Sequence, residues 1–206
     1  MLVLTGLPTL FPKLVAARTY TERMFHTIFL NSLDEDQTKE AILMPIRKDG
    51  CPVRFTDETV DLIWKQTRGY PFFIQYICRE VFDVWVQAAD AGNTLPSVPV
   101  HPIMRKLDAD FFAGRWGRIT DRQRQLMAIV ARLPNPDEEF TVQDIVVNDA
   151  NLAQAKPFSG SHANQMLSAL IDNGLIYKNR HGKYLFAVPL LGDFIRRQAD
   201  ILSPWV

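Results

Sequence analysis

The sequence predicts a mainly α fold, in which a helical module is followed by three helices and a hairpin, with one short strand near the start. Three observations predict it. Apolar residues recur at helical spacing through residues 31–90 and again from Thr120 to Ile171. Ser, Thr and Asp residues that can cap helices precede most of these stretches. Strand-like patterns are confined to Leu2–Thr5, Leu175–Tyr177 and Tyr184–Val188.

The first strand candidate, Leu2-Val3-Leu4-Thr5, is closed by Gly6 and Pro8. A buried parallel strand cannot stand alone, so this one is expected to pair with a sheet in another chain or in a longer polypeptide. Pro8 then starts a short helix from Thr9 to Ala17, and Thr19-Tyr20-Thr21-Glu22 has the spacing of a capping box. Ser32-Leu33-Asp34-Glu35 has it too and opens a helix through Ala41, Ile42 and Leu43 that Pro45 bounds. Asp49-Gly50 with Pro52 reads as a turn, and Thr56 caps a helix carrying Val60, Ile63 and Trp64.

Gly69-Tyr70-Pro71 begins the helix on which this module centres. Proline suits the first helical position, where its missing N–H costs nothing. Phe73, Ile77, Val84 and Ala88 form an apolar row that Phe72, Tyr76, Val81 and Trp85 widen, while Gln75, Arg79, Asp83 and Gln87 make a polar stripe. Ala91–Pro102 contains Pro96, Pro99 and Pro102 and reads as a linker; Ile103, Leu107 and Phe111-Phe112 make a short bridging helix. Thr120 caps the next helix (Leu126, Ile129, Val130, Leu133), Thr141 a short second one, and Ser159 or Ser161 a third that stops at Asn173-Gly174. Two strands around the tight turn Asn179-Arg180-His181-Gly182 follow, then a last helix from Leu190 to Ala199. Three helices and a hairpin in this order are the pattern of a winged helix-turn-helix.

Composition bounds the function. The chain has 206 residues, 47% apolar and 22% charged, with zero formal net charge, which fits one or two globular domains. Residues 1–112 carry 12 basic and 14 acidic groups, and residues 113–206 carry 11 and 9. That balance does not by itself mark a nucleic-acid binder. Cys51 and Cys78 have no zinc-ligand spacing and read as free thiols. No apolar run approaches the ~20 residues of a membrane span, and Met1–Gly6 lacks the charged leader of a signal peptide. A cytoplasmic protein is the expectation. His26, His101, His162 and His181 have no Asp, Glu or Cys at ligand spacing, and Ser161-His162 lacks the third member of a triad. No Gly-rich Lys-Ser/Thr phosphate loop is present, so autonomous catalysis is not expected.

Two sets of side chains carry the binding hypotheses. The third helix of the second half exposes His162, Asn164, Gln165, Ser168 and Asp172, and the hairpin supplies Lys178, Arg180 and Lys183, with Arg196-Arg197 beyond. A duplex could be met by this helix in the major groove and by these cations on phosphates; a protein partner is the alternative. Arg18 and Arg23 flank Tyr20 just after the first strand, where an arginine could reach a phosphate across a subunit boundary.

The blocks Leu2–Leu10, Arg18–Phe25, Gly69–Gln75, Leu107–Phe112 and Gly174–Tyr177, in that order, resemble the C-terminal part of AAA+ ATPases of the origin-recognition and STAND branches. The resemblance implies a remnant of an α/β core at residues 1–30, a helical lid at 31–95, a linker and bridging helix at 96–112, and a winged helix with a C-terminal helix at 113–206. It implies a sensor role for Thr5 and a trans-acting role for Arg23, with Arg18 as the second option. Gly69, Tyr70, Pro71 and Phe72 would face the adenine and ribose. Pro71, Phe72 and Phe73 occupy the region where origin-type relatives carry a sensor arginine, with Arg68 before and Arg79 after. ATP and Mg²⁺ are implied for a full-length parent; this chain, lacking both Walker segments, is expected to bind neither strongly and not to hydrolyse ATP. It reads as a fragment of such a parent, partnered by the missing core or by copies of itself. The alternatives are a DNA-binding or regulatory winged-helix module and a protein-interaction adaptor.

Overall fold

Helix formation begins at Leu10–Ala17 (α1) and Thr21–Met24 (α2) in the computed structural model, which describes residues 2–6, 10–28, 30–47, 54–93, 97–151 and 157–202. α1 packs on α2, and the Thr21 hydroxyl donates to the Leu14 carbonyl at 3.2 Å. The capping box expected at Thr19–Glu22 is not formed. α2 starts at Thr21, with Tyr20 at its N-cap and no side-chain cap, so Glu22 stands one place too early to reach back. The strand expected at Leu2–Thr5 is also corrected. Residues 2–6 belong to no strand, and Leu2, Val3 and Leu4 are 69%, 65% and 44% exposed. A strand needs a neighbour for its N–H and C=O groups, and the sheet among the described residues does not include this segment. Pro8 and Thr9 lie outside the described residues.

Leu30–Phe111 forms one compact unit, and Met1–Phe29 with Phe112–Val206 the other. The Leu30–Phe111 unit holds α3 (Glu35–Arg47), α4 (Asp57–Thr67), α5 (Pro71–Asp90) and α6 (Val100–Leu107). The cap of α3 is Asp34 rather than Ser32. Its carboxylate accepts the Gln37 N–H at 2.8 Å, while the Gln37 side chain accepts the Asp34 N–H at 3.2 Å. Aspartate caps as well as serine, and this register sets Thr38 and Ile42 on the buried face. Pro45 does not bound α3 but lies inside its last turn, where little helix remains for the lost N–H bond to weaken. The predicted turn at Asp49, Gly50 and Pro52, with Cys51, lies outside the described residues.

Thr56 caps α4 by accepting the Thr59 N–H at 3.3 Å, and α4 ends at Arg68 in the left-handed region (φ 51°). Gly69 follows at φ 71°. Its carbonyl accepts the Leu33 N–H at 2.8 Å, and a Cβ built on it would lie 1.8 Å from the Leu33 oxygen. Only glycine fits there. Pro71 then takes the first position of α5, against which α3, α4 and α6 all pack. Phe73, Ile74, Ile77, Val81 and Trp85 are buried, and Gln75, Arg79, Asp83 and Gln87 form the exposed stripe. The buried arc is narrower than expected: Val84 and Ala88 are half-buried and Phe72 is 45% exposed.

The linker expected at Ala91–Pro102 is helical from Val100, with Pro102 in the first turn of α6; Thr94–Pro96 lie outside the described residues. Two polar ties fasten the end of this unit to α5. Lys106 pairs with Glu80 at 2.7 Å, and the Tyr76 hydroxyl donates to Asp110 at 2.9 Å. Asp108–Phe112 continues directly from α6 as a π-helical turn, so the expected bridging helix is helical through Phe111-Phe112.

The other unit continues with α7 (Ala113–Trp116), α8 (Asp121–Ala131), α9 (Val142–Asn151), α10 (Gly160–Asp172), β1 (Ile176–Arg180), β2 (Lys183–Phe186) and α11 (Leu191–Leu202). Thr120 and Gln123 close a full capping box on α8. Thr141 and Asp144 cap each other's backbone N–H groups at 2.7 and 3.1 Å at the start of α9, and Ser159 accepts the His162 N–H at the start of α10. α8, α9 and α10 pack on one another, β1 lies on α10, and α11 packs along α8. Leu126, Ile129, Ile145, Leu167, Leu170, Phe140 and Phe194 fill the core, with Phe112 stacked on Phe194 at 5.1 Å.

β1 and β2 are antiparallel, pairing Ile176 with Phe186, Tyr177 with Leu185, Lys178 with Tyr184 and Arg180 with Lys183. Asn179 falls in the irregularity between the last two pairs. The turn is shorter than the predicted four residues: His181 and Gly182 make it, with Gly182 at φ 70°, and Ala187-Val188 lie beyond β2. Phe140 bridges Tyr184 through two backbone bonds of 2.9 Å, so β2 lies between β1 and Phe140, just ahead of the Thr141 cap of α9. The described part of the molecule is thus mainly helical with one small sheet.

Candidate nucleic-acid interface

The hairpin tip is built by the two-residue turn, which swings Lys178, Asn179 and Arg180 of β1 and Lys183 of β2 into one neighbourhood. Asn179, Arg180 and Lys178 are exposed, and Lys183 is half-buried. Arg180 is nonetheless engaged. Its Nε and Nη2 donate to Glu139 Oε2 at 2.9 and 2.6 Å, a forked pair that adds geometric fit to charge. The Asn179 amide donates to the other carboxylate oxygen at 2.7 Å. These bonds hold Glu139 below the ordinary carboxylate range, with Arg180 the largest cause and Asn179 next; the charge of Lys183 acts in the same direction. Glu139 is positioned by its neighbour Phe140, whose backbone is locked to Tyr184.

α10 supplies the second surface. Ser161, Asn164, Gln165, Ser168 and Asp172 are exposed along one stripe, opposite buried Ala163, Leu167 and Leu170. Tyr184 reaches Asn164 through its hydroxyl at 3.4 Å, and Ser168 bonds back to the Asn164 carbonyl at 3.1 Å. Amide side chains on an exposed helical stripe can pair with the N6 and N7 edge of adenine. His162 is half-buried beside the Phe158 ring (5.6 Å between centroids), and the Arg122 guanidinium lies 3.5 Å from the centre of that ring. His162 is therefore more a part of the packing than of the exposed stripe.

The family described as Domain of unknown function (DUF8462) matches residues 109–195. No curated protein matches the chain. The matched stretch begins in the π-helical turn and ends in α11, so it takes in α8, α9, α10 and the hairpin and leaves out the helices α3–α6.

The remaining predicted residues fall elsewhere. Thr5 is exposed in a segment without secondary structure. Arg18 follows α1 and donates to the adjacent Ala17 carbonyl; Arg23 lies on α2, and both are exposed. Gly69, Tyr70, Pro71 and Phe72 belong to the other unit. Gly69 is taken up by Leu33, Tyr70 lies against Phe73 at 5.0 Å, and Phe72 lies 5.0 Å from Phe111 and 6.4 Å from Tyr76. Arg196, one of the paired cations near the C-terminus, donates to the Ala131 carbonyl at the end of α8 and pairs with Asp193. Its charge serves a helix end. Among the described residues no three His, Cys, Asp or Glu side chains gather to hold a metal, and no helix is long and apolar enough to cross a membrane.

Sequence reasoning missed Glu139 and the bridge at Phe140. A signal existed. Asp137-Glu138-Glu139 is an acidic run, and the aromatic that follows it precedes the capping residue Thr141. Nothing local says that this run meets a hairpin some 40 residues later.

Proposed function

We propose that the chain is the lid and winged-helix portion of an AAA+ type ATP-binding protein, serving as a docking and switching part rather than as a catalyst. The observation that carries this reading is the order of elements. Helices α3–α5, with the Gly69-Tyr70-Pro71 junction between the last two, are followed by α8, the Phe140 bridge, α9, α10, β1 and β2. Three helices with a single bridging residue after the first and a hairpin after the third fit a winged helix-turn-helix, and the helical module before it has the size of an AAA+ lid. Within this sequence no phosphate loop of the Gly-rich Lys-Ser/Thr kind occurs, so ATP hydrolysis belongs to the rest of such a parent. Titration of the purified chain with ATP and Mg²⁺ is the test. Weak or no binding is expected, and micromolar affinity would defeat the reading.

A second reading, a duplex-binding module, is favoured by the exposed amide stripe of α10 together with Lys178 and Lys183. Its test is fluorescence anisotropy with a mixed-sequence duplex at several salt concentrations. Lys178→Glu with Lys183→Glu is expected to abolish salt-dependent binding. Capture of a defined protein partner without duplex affinity would favour an adaptor instead.

A further inference from the structure

We propose that Glu139 is a built-in competitor for nucleic-acid phosphate, holding the Arg180 fork so that the hairpin meets a duplex with that cation masked. The inference rests on the duplex reading of the winged helix and concerns how that surface is regulated.

Arg180 is 69% exposed at its side chain, yet three bonds of 2.6–3.1 Å run from it to one carboxylate. A carboxylate and a phosphate present the same pair of acceptor oxygens to a guanidinium, so the two compete for one site. Glu139 is held for this role. Its side chain is only 22% exposed, its backbone neighbour Phe140 is bonded twice to Tyr184, and Asn179 fixes the second oxygen. Lys178 has no partner among the described residues, and Lys183 lies within the electrostatic reach of the same Glu139. A hairpin with three cations thus presents its central one already neutralised. An exposed ion pair is weak in water, so a duplex that brings several phosphates can displace Glu139 at modest cost. Duplex affinity is thereby tied to any change at Glu139.

The experiment uses the full chain and a mixed-sequence duplex, read by fluorescence anisotropy from 50 to 200 mM salt. Glu139→Gln keeps the shape and the acceptor for Asn179 but removes the charge. It is expected to bind roughly threefold to tenfold more tightly than wild type at 100 mM salt with the same log–log salt slope, because both complexes hold the Arg180 phosphate contact and only wild type gives up an ion pair to make it. Glu139→Gln combined with Arg180→Gln is expected to lose that gain and to show a slope shallower than wild type by about 0.9, the value of one phosphate contact. Because substitution can disturb the hairpin, the Arg180 Nε–H resonance of wild type is followed as duplex is added, and it is expected to move as Glu139 is displaced. Equal affinity for wild type and Glu139→Gln, with a stationary Arg180 resonance, overturns the competitor role and leaves duplex binding standing. Failure of both proteins to bind duplex at 50 mM salt overturns the duplex reading and this inference with it.

Discussion

Gly69 and Glu139 each carry a constraint that depends on the identity of one residue. At Gly69 a side chain would meet the Leu33 carbonyl at 1.8 Å while φ sits at +71°. Gly69→Ala is therefore expected to destabilise the Leu30–Phe111 unit by at least about 1–3 kcal/mol, the scale of a strained backbone residue alone. Urea unfolding followed by tryptophan fluorescence, with Trp64 and Trp85 in this unit, measures it. At Glu139 the sign follows from its lowered pKa. The ionised form is the one bonded to Arg180 and Asn179, so the pairing is complete above the ordinary carboxylate value of 4.5 and is lost only as the pH falls below it. Exchange protection of the Arg180 Nε–H should hold at pH 5–7 and disappear on further acidification. Loss of protection already near pH 6 would mean that Glu139 does not hold the hairpin.

Among the elements, α8 and α5 show how far local rules reach. The Thr120–Gln123 capping box satisfies two backbone N–H groups at the start of α8 with side chains three residues apart. Thr120→Ala is expected to cost about 1 kcal/mol in thermal unfolding, and Thr120→Ser to restore most of it. An unchanged midpoint for Thr120→Ala would show that tertiary contacts alone set this helix start. α5 was legible for the same kind of reason. Pro71 fixes its first turn, and the four-residue repeat of Gln75, Arg79, Asp83 and Gln87 fixes its wet side. The misplaced starts have a common cause. Around α2 and α3 several Ser, Thr, Asp and Glu residues stand close together and offer competing starts: α3 takes the reciprocal Asp34–Gln37 cap, and α2 starts with no side-chain cap.

For the molecule as a whole, zero net charge conceals internal neutralisation: Glu139 with Arg180, Glu80 with Lys106 and Asp193 with Arg196. Each unit has its own apolar core. In the unit that holds Phe112–Val206, Phe194 sits between the ring of Phe112 and that of Trp116, at 5.1 and 5.8 Å, and is almost fully buried. Phe194→Ala is expected to cost this unit about 3–5 kcal/mol, read as lost hydrogen-exchange protection across α8 and α11. A loss under 1 kcal/mol would mean that α11 is not part of that core.

By itself the sequence determined what is decided within a few residues: the caps at Thr56, Thr120 and Thr141, the proline start of α5, and the polar stripe of α10 at Asn164, Gln165, Ser168 and Asp172. These follow from hydrogen bonds and periodicities that close inside one or two helical turns. Only the tertiary structure decided that Leu33 lies on Gly69, that Phe140 joins Tyr184, and that Glu139 takes Arg180. Those partners lie 36 to 44 residues apart in the chain. Side chains so distant share no period, so their meeting is fixed by how the helices pack. The strand expected at Leu2–Thr5 failed for the converse reason: β-forming residues make a strand only where a neighbour takes up their backbone hydrogen bonds.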